Sequence, residues 1–408
     1  MYKLTIILVF LLILSDLYLC FDSRKSSWLF VFNLFIAISN LSILQYYYIL
    51  QNKHILDNIG TTGISYESPM YYFLFKSLLC LSLYQLVRIY YNHKLKKLKI
   101  VTPQFSNRHV FFVMLSLILL AMIFGIRDSD VNEFRYISRI SAPFEYARIA
   151  FIFLFATSQK NKKLKYLSIC IAALYCFEDL YFGGRISTVQ VLLLTFLYYF
   201  REIRPLQITL LGLIGFGILT VTGILREFGT INLETLQNLS GLDPETVINN
   251  LSTFSTATWS YLASISHIYT IEFIDLIDRS SSFLYGITNI FLGDTVYNFL
   301  FPGGQIGNLT SYANKFHTNL GGGLIFTHYF FWGGYLGLIL FSILQHELFY
   351  KSGKSKSTFS TIVFIIMFIG MPRWYLYGPH TLLRAVIIVV PIFFVFYKVV
   401  NSIKLLPK

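Results

Sequence analysis

The sequence predicts an all-helical, polytopic membrane protein with about eleven transmembrane helices and one large outward-facing loop. Hydrophobic residues make up 55% of the 408 positions and charged residues only 13%, about half the charged share of a soluble domain. Runs without Asp, Glu, Lys or Arg cover 26–52, 205–225 and 316–346, and a bilayer core of about 30 Å asks for roughly 20 such residues. Lys and Arg gather in alternate connections, the mark of a chain threaded back and forth through a membrane. An outer-membrane barrel is excluded, because its strands would alternate in polarity over about ten residues. The net charge of +13 is placed beside the apolar segments, so it argues for membrane flanks and not for nucleic acid.

In chain order the expected spans are 3–21, 27–50, 70–92, 109–126, 143–158, 165–182, 186–200, 206–225, 320–345, 358–371 and 381–398. The first is read as a retained helix, since no small-residue cleavage site follows it. One set of alternate connections carries 19 basic residues, including Arg24, Lys94, Lys160, Arg201 and Lys351, while the other carries 10. The positive-inside rule puts the richer set in the cytoplasm. This ordering gives three regions: spans 1–8 within 1–225, an outer loop at 226–319, and spans 9–11 within 320–408.

The outer loop holds eight acids against three basic residues. Asp243-Pro244-Glu245-Thr246 reads as a helix start, and 262–277 is apolar enough for a helix against the membrane or the bundle. Phe301-Pro302-Gly303-Gly304 breaks the chain before span 9. The cysteines, Cys20, Cys80, Cys170 and Cys176, lie in or beside apolar segments without ligand spacing, so no disulfide is inferred.

Ionisable residues in or at the mouth of an apolar segment are candidates for function, because lipid makes them expensive. In Glu178-Asp179-Leu180-Tyr181-Phe182-Gly183-Gly184-Arg185-Ile186-Ser187 the glycine pair allows a tight hairpin, with Arg185 on the outer rim. Arg185 suits an anion clamp, as a guanidinium grips phosphate oxygens in a fork; alternatively it is an interfacial residue paired with Glu178 or Asp179. Arg226 closes span 8 on the same face, as a second clamp or a snorkelling anchor. Arg373 and Arg384 bracket a short outer turn at 371–380, rich in aromatics and including His380. That turn suits sugar and diphosphate, or an interfacial belt. Glu145 and Arg148, spaced i,i+3, read as a neutralised pair or a polar site. His317 and His328 flank Gly321-Gly322-Gly323, where the backbone can approach a ligand or a neighbouring helix closely. Either histidine can take a proton from a hydroxyl near pH 7, or be a packed, hydrogen-bonded residue. No metal-ligand spacing and no phosphate-binding loop stand in the chain, so neither a metal nor a cofactor is expected.

The layout Gly183-Gly184-Arg185, aliphatic helix, Arg201-x-x-Arg204-Pro205, aliphatic helix, Leu225-Arg226 and a long outer loop ends on Gly321-Gly322-Gly323…Tyr329…Trp332-Gly333-Gly334-Tyr335-Leu336-Gly337. This resembles the Wzy-type O-antigen and oligosaccharide repeat-unit polymerases of bacterial inner membranes, chiefly over 178–345. The resemblance implies a metal-independent membrane glycosyltransferase of GT-C-like architecture, with the large loop periplasmic. Its substrate would be an undecaprenyl-diphosphate-linked oligosaccharide, and it would work beside a flippase and a chain-length regulator protein. Arg185, Arg226, Arg373 and Arg384 would bind diphosphate and glycan, and His328 or His317 would be the base. Related chains often carry an acidic residue near the position of His328, so the histidine is a departure. An O-antigen ligase, or a lipid-linked oligosaccharide flippase or transporter, is the alternative reading.

Overall fold

A computed structural model describes residues 2–51, 69–128, 138–140, 142–181, 185–227, 252–272, 274, 275, 279, 282–288, 290, 291, 299, 309 and 322–402. The described chain is helical apart from a short antiparallel pair, β1 (Ile126–Asp128) with β2 (Ser138–Ile140), in which Arg127 stands opposite Arg139. A helix stands at each of the eleven expected positions. Five are long and apolar enough to cross a membrane alone: Lys3–Ser23, Ser27–Leu44, Tyr72–Leu95, Ile325–Lys354 and His380–Ser402. A sixth is added if Thr358–Ile369 and Met371–Tyr377 form one bent span. The chain is therefore a helical membrane protein, and it divides into two compact units.

The first unit comprises Met1–Lys99, Phe254–Lys354 and Arg373–Ile388. It contains α1 (Tyr2–Ser23), α2 (Ser27–Gln51) and α3 (Pro69–Leu95). Along α1 the buried positions are Thr5, Val9, Leu12, Asp16, Leu19 and Ser23, a spacing of alternately four and three residues that keeps one seam on its neighbours. Leu4, Ile7, Leu11, Leu14 and Tyr18 are exposed on the other side, as lipid contact requires. Because lipid tails are as apolar as leucine, such seams depend on close packing and hydrogen bonds. This seam is tied by a polar string. Arg88 donates to Asp16 at 2.7 Å, to Gln85 at 2.8 Å and to Asn33 at 3.1 Å. Asn40 donates to the other oxygen of Asp16 at 2.7 Å. The string continues through Asn33 to Asn92 and through Asn92 to Asp22, both at 2.9 Å, where Lys96 pairs with Asp22.

From the loop region, α9 (Ser252–Ile271) joins this unit. It starts ten residues before the apolar stretch expected at 262–277 and ends six residues before that stretch does, turning at Glu272. Its first half is rich in Ser and Thr, which hides a buried helix from a hydropathy reading. Lys76 of α3 pairs with Glu272 at 2.6 Å. The helix α10 (Ile325–Lys354) is interrupted at Gly333 and Gly334, the latter at φ 61°. No atom would meet a Cβ within 4 Å at either glycine. The expected turn at 371–380 is instead mostly helical, as α12 (Met371–Tyr377), followed by Gly378 and α13 (His380–Arg384).

The second unit comprises Ile100–Thr253, Ser355–Pro372 and Val389–Lys408. It contains α4 (Arg108–Phe124), α5 (Ala142–Ser158), α6 (Lys162–Tyr181), α7 (Ile186–Thr195), α8 (Pro205–Glu227), α11 (Thr358–Ile369) and α14 (Val390–Ser402). Phe144 stacks on Tyr175 at 4.4 Å between ring centres, and the Tyr175 hydroxyl donates to the Phe144 carbonyl at 2.6 Å. A π-helical turn, Phe196–Phe200, ends α7. From this turn, the Tyr199 hydroxyl lies 2.7 Å from Ser158 and 2.9 Å from Ser168. The Gly183-Gly184 hairpin and the segments 243–246 and 301–304 lie outside the described residues.

Candidate functional site

Three histidines far apart in sequence meet in the first unit. The imidazoles of His267 (α9) and His328 (α10) lie 5.7 Å apart edge to face, and those of His328 and His380 (α13) 5.8 Å apart. The Trp332 indole, one turn after His328, closes the file 5.7 Å from His380. Phe283 and Phe341 flank the indole at 5.6 and 5.5 Å. His267 and His328 are buried, while Trp332 and His380 are half-buried.

Glycine backbone makes this convergence sterically possible. A Cβ on Gly378 would lie 2.5 Å from His328 Nε2, and one on Gly323 would lie 2.5 Å from His267 Nδ1. At Gly286 a Cβ would meet His380 at 3.0 Å and Trp332 at 3.3 Å, and at Gly322 it would meet the Tyr377 backbone at 2.8 Å. Gly323 and Gly378 also adopt φ of +75° and +93°, where a side chain is strained. The Leu324 N–H donates to Ser264 at 2.7 Å, pinning this mouth of α10 to α9. The glycine run expected to allow a close approach thus receives a tyrosine backbone and an imidazole.

His328 Nε2 lies 2.8 Å from the Gly322 carbonyl. A carbonyl only accepts, so Nε2 carries the proton, and in the neutral ring Nδ1 keeps a bare lone pair. That is the form a base needs. Burial, then the neighbouring His328, pushes His267 well below the ordinary imidazole value. No group of three metal-ligating side chains is arranged to hold a metal ion among the described residues.

The other candidates are placed as follows. Arg185 is half-buried at the N-cap of α7, without a side-chain capping bond. Its neighbour Asp179 directs Oδ2 to the backbone N–H and the hydroxyl of Thr188, each at 2.8 Å. One partner suggested for Arg185 therefore spends that oxygen as a surrogate helix cap. Arg148 is buried and donates to Gln190. Arg373 lies with its guanidinium 5.0 Å from the centre of the Tyr377 ring, and Arg384 ends α13, half-buried. Arg226 stands in the last turn of α8, its side chain outside the described residues; His317 lies wholly outside them.

The sequence reading passed over His267 and the buried pair Asp16–Arg88. Each of the latter is a charge inside an apolar run, a signal that was available. His267 gave none, since it sits in a helix of modest hydropathy. No protein-family model matches the chain, and no curated protein or solved structure shows significant similarity to it.

Proposed function

We propose that this chain is a metal-independent membrane glycosyltransferase of GT-C-like architecture. It would polymerise undecaprenyl-diphosphate-linked repeat units into O-antigen or a related surface polysaccharide, at the periplasmic face of a bacterial inner membrane. The observation that carries the reading is His328, fixed as the Nε2–H tautomer beside His380 and a half-exposed indole. An indole face suits the apolar face of a sugar, and a bare imidazole nitrogen suits an acceptor hydroxyl. In the reaction the acceptor oxygen attacks the anomeric carbon and its proton passes to His328. The anomeric C–O bond breaks, and its electron pair leaves with the lipid diphosphate. Arg185 and Arg226, with Arg373 and Arg384 in support, would stabilise the charge that develops there. In this reading the chain crosses the membrane eleven times, with 226–319 periplasmic and the richer basic set cytoplasmic.

Deleting the gene in its host and resolving the surface polysaccharide on a gel tests the reading. Glycan held at one repeat unit on the lipid A core, restored to a ladder by wild type but not by Arg185→Ala or His328→Ala, is expected. Arg185→Lys should recover little, because the forked contact is lost. Total loss of core-attached glycan would point to a ligase or a flippase, and an unchanged glycan would refute the proposal.

A further inference from the structure

The region expected as an outer loop contains a short helix with an apolar outward face. Residues 282–288 and 290–291 are helical, and 280–293 carry no Asp, Glu, Lys or Arg. Ser282, Tyr285, Gly286 and Ile290 are buried, while Leu284, Ile287 and Phe291 are 61%, 39% and 60% exposed. At about 100° per residue the exposed three fall within about 60° of one another, opposite the buried four. The buried side serves the histidine file, since a Cβ on Gly286 would meet His380 at 3.0 Å and Trp332 at 3.3 Å. On the flank of the exposed face, the Thr288 hydroxyl turns back on the carbonyls of Leu284 and Tyr285, at 2.9 and 3.1 Å. It is thereby satisfied without water, as hydroxyls on helices in lipid are.

Phe283 sets the depth of this helix. Its ring lies 5.5 Å from that of Phe341, on the half of α10 that follows the glycine break. That half, 335–354, is about 30 Å long, the thickness of a hydrocarbon core, and Phe341 lies about 9 Å along it. Leu336, Leu340 and Leu344, four residues apart beside Phe341, are exposed, as side chains that meet lipid are in a membrane-crossing helix. The helix at 282–291 thus packs at the level of a lipid-facing strip. At about 15 Å it is too short to cross. We propose that it is a re-entrant helix immersed in the bilayer, with lipid hydrocarbon, not water, covering Leu284, Ile287 and Phe291. The histidine file then lies one helix away from lipid, within lateral reach of a substrate held in the bilayer by its own hydrocarbon chain. The inference rests on this packing and not on the polymerase reading.

The test uses the full chain in lipid nanodiscs, its four free cysteines replaced by alanine or serine. Leu284→Cys, Ile287→Cys and Phe291→Cys each carry a nitroxide spin label. Collisions of the label with oxygen, which concentrates in hydrocarbon, are compared with collisions with a water-soluble nickel chelate. Leu340→Cys and Lys351→Cys, at exposed positions of α10, supply the lipid and water standards. The ratio of oxygen to nickel collisions at all three positions should match that of Leu340→Cys and lie well above that of Lys351→Cys. A ratio at the Lys351→Cys level would put the face in water and overturn the inference. Low rates with both reagents would mean that a second copy or another protein segment covers the face, and would overturn it equally. Three positions share one expectation, so if a labelled variant fails to fold the other two decide. The readout is independent of glycan synthesis, so a gene deletion that refutes the polymerase leaves this inference to stand or fall by itself.

Discussion

Replacing Arg88 by Leu and replacing Asp16 by Leu should each destabilise the first unit strongly, and the two losses should not add. Arg88 is 1% exposed and Asp16 3%. Removing Arg88 leaves the carboxylate buried with only the amides of Gln85 and Asn40 as donors. Removing Asp16 leaves the guanidinium on the amide oxygens of Asn33 and Gln85. Breaking a buried pair from one side costs about 3–5 kcal/mol, whereas replacing both members by apolar groups can be neutral. Here the double replacement also strands polar atoms of Asn40, Gln85 and Asn33, at about 1–3 kcal/mol for each atom left unsatisfied. Arg88→Leu and Asp16→Leu should thus each cost about 3–5 kcal/mol, and the double variant clearly less than their sum, with a coupling of about 3 kcal/mol. Reversible unfolding of the four proteins in mixed micelles, read by circular dichroism, measures the cycle. Additive losses, or single losses below about 1 kcal/mol, the range of exposed pairs, would refute the claim that the charges sustain each other.

Gly378→Ala should lose about 2–3 kcal/mol, from a left-handed backbone penalty and a displaced His328–Gly322 bond. Gly334→Ala, with open space at its Cβ, should lose only the backbone part, and equal melting losses in the two would contradict the close approach to His328. His267 lies in α9, outside the candidate spans, with its pKa depressed in the folded state. Its contribution is complete above the unfolded value near 6.5 and is lost below it, at about 1.4 kcal/mol per pH unit. The melting temperature should fall from pH 7.5 to 5.5, and by less in His267→Gln; identical slopes would count against a neutral buried imidazole. On the proposed topology, a cysteine at Ser240 should react with an impermeant thiol reagent in cells whose outer membrane is permeabilised, and labelling only after lysis would invert that topology.

The positions of the helices were legible because charge and glycine punctuate apolar runs. Arg24-Lys25 stands between α1 and α2, and Arg201 to Pro205 between α7 and α8. Extents were less so. The start of α9 is masked by hydroxyl side chains that bond back to their own helix, as Ser264 does to Ser260. His328 stood out by its glycine neighbours. The convergence of His267, His328 and His380 did not, because it depends on how three separated helices pack, which periodicity does not encode. Asp16 and Arg88 are 72 positions apart. Each was visible as a lone charge, but the pairing required knowing that α1 lies against α3. The capping role of Asp179 needed the close approach of the end of α6 to Thr188 in the first turn of α7.

The polar string through α1, α2 and α3 has a consequence for how the chain enters the membrane. An acid or a base at the centre of an inserting helix costs about 2.5–3.5 kcal/mol on insertion scales, and each large aliphatic residue recovers only a few tenths. The best window of α1 has a mean hydropathy of 2.6, and that of α3 only 1.3. Alone, α1 can hold Asp16 within the bilayer, whereas α3 has little apolar surplus to offset Arg88. Because the ribosome delivers α1 and α2 first, Asp16 and Asn33 are already in place as acceptors when Arg88 emerges. We infer that α3 is a dependent segment whose integration follows recognition by its predecessors. An insertion assay of α3 with and without the first two helices, and with Asp16→Leu in the longer chain, would separate this templated entry from autonomous partitioning. Equal integration in all three would disprove it.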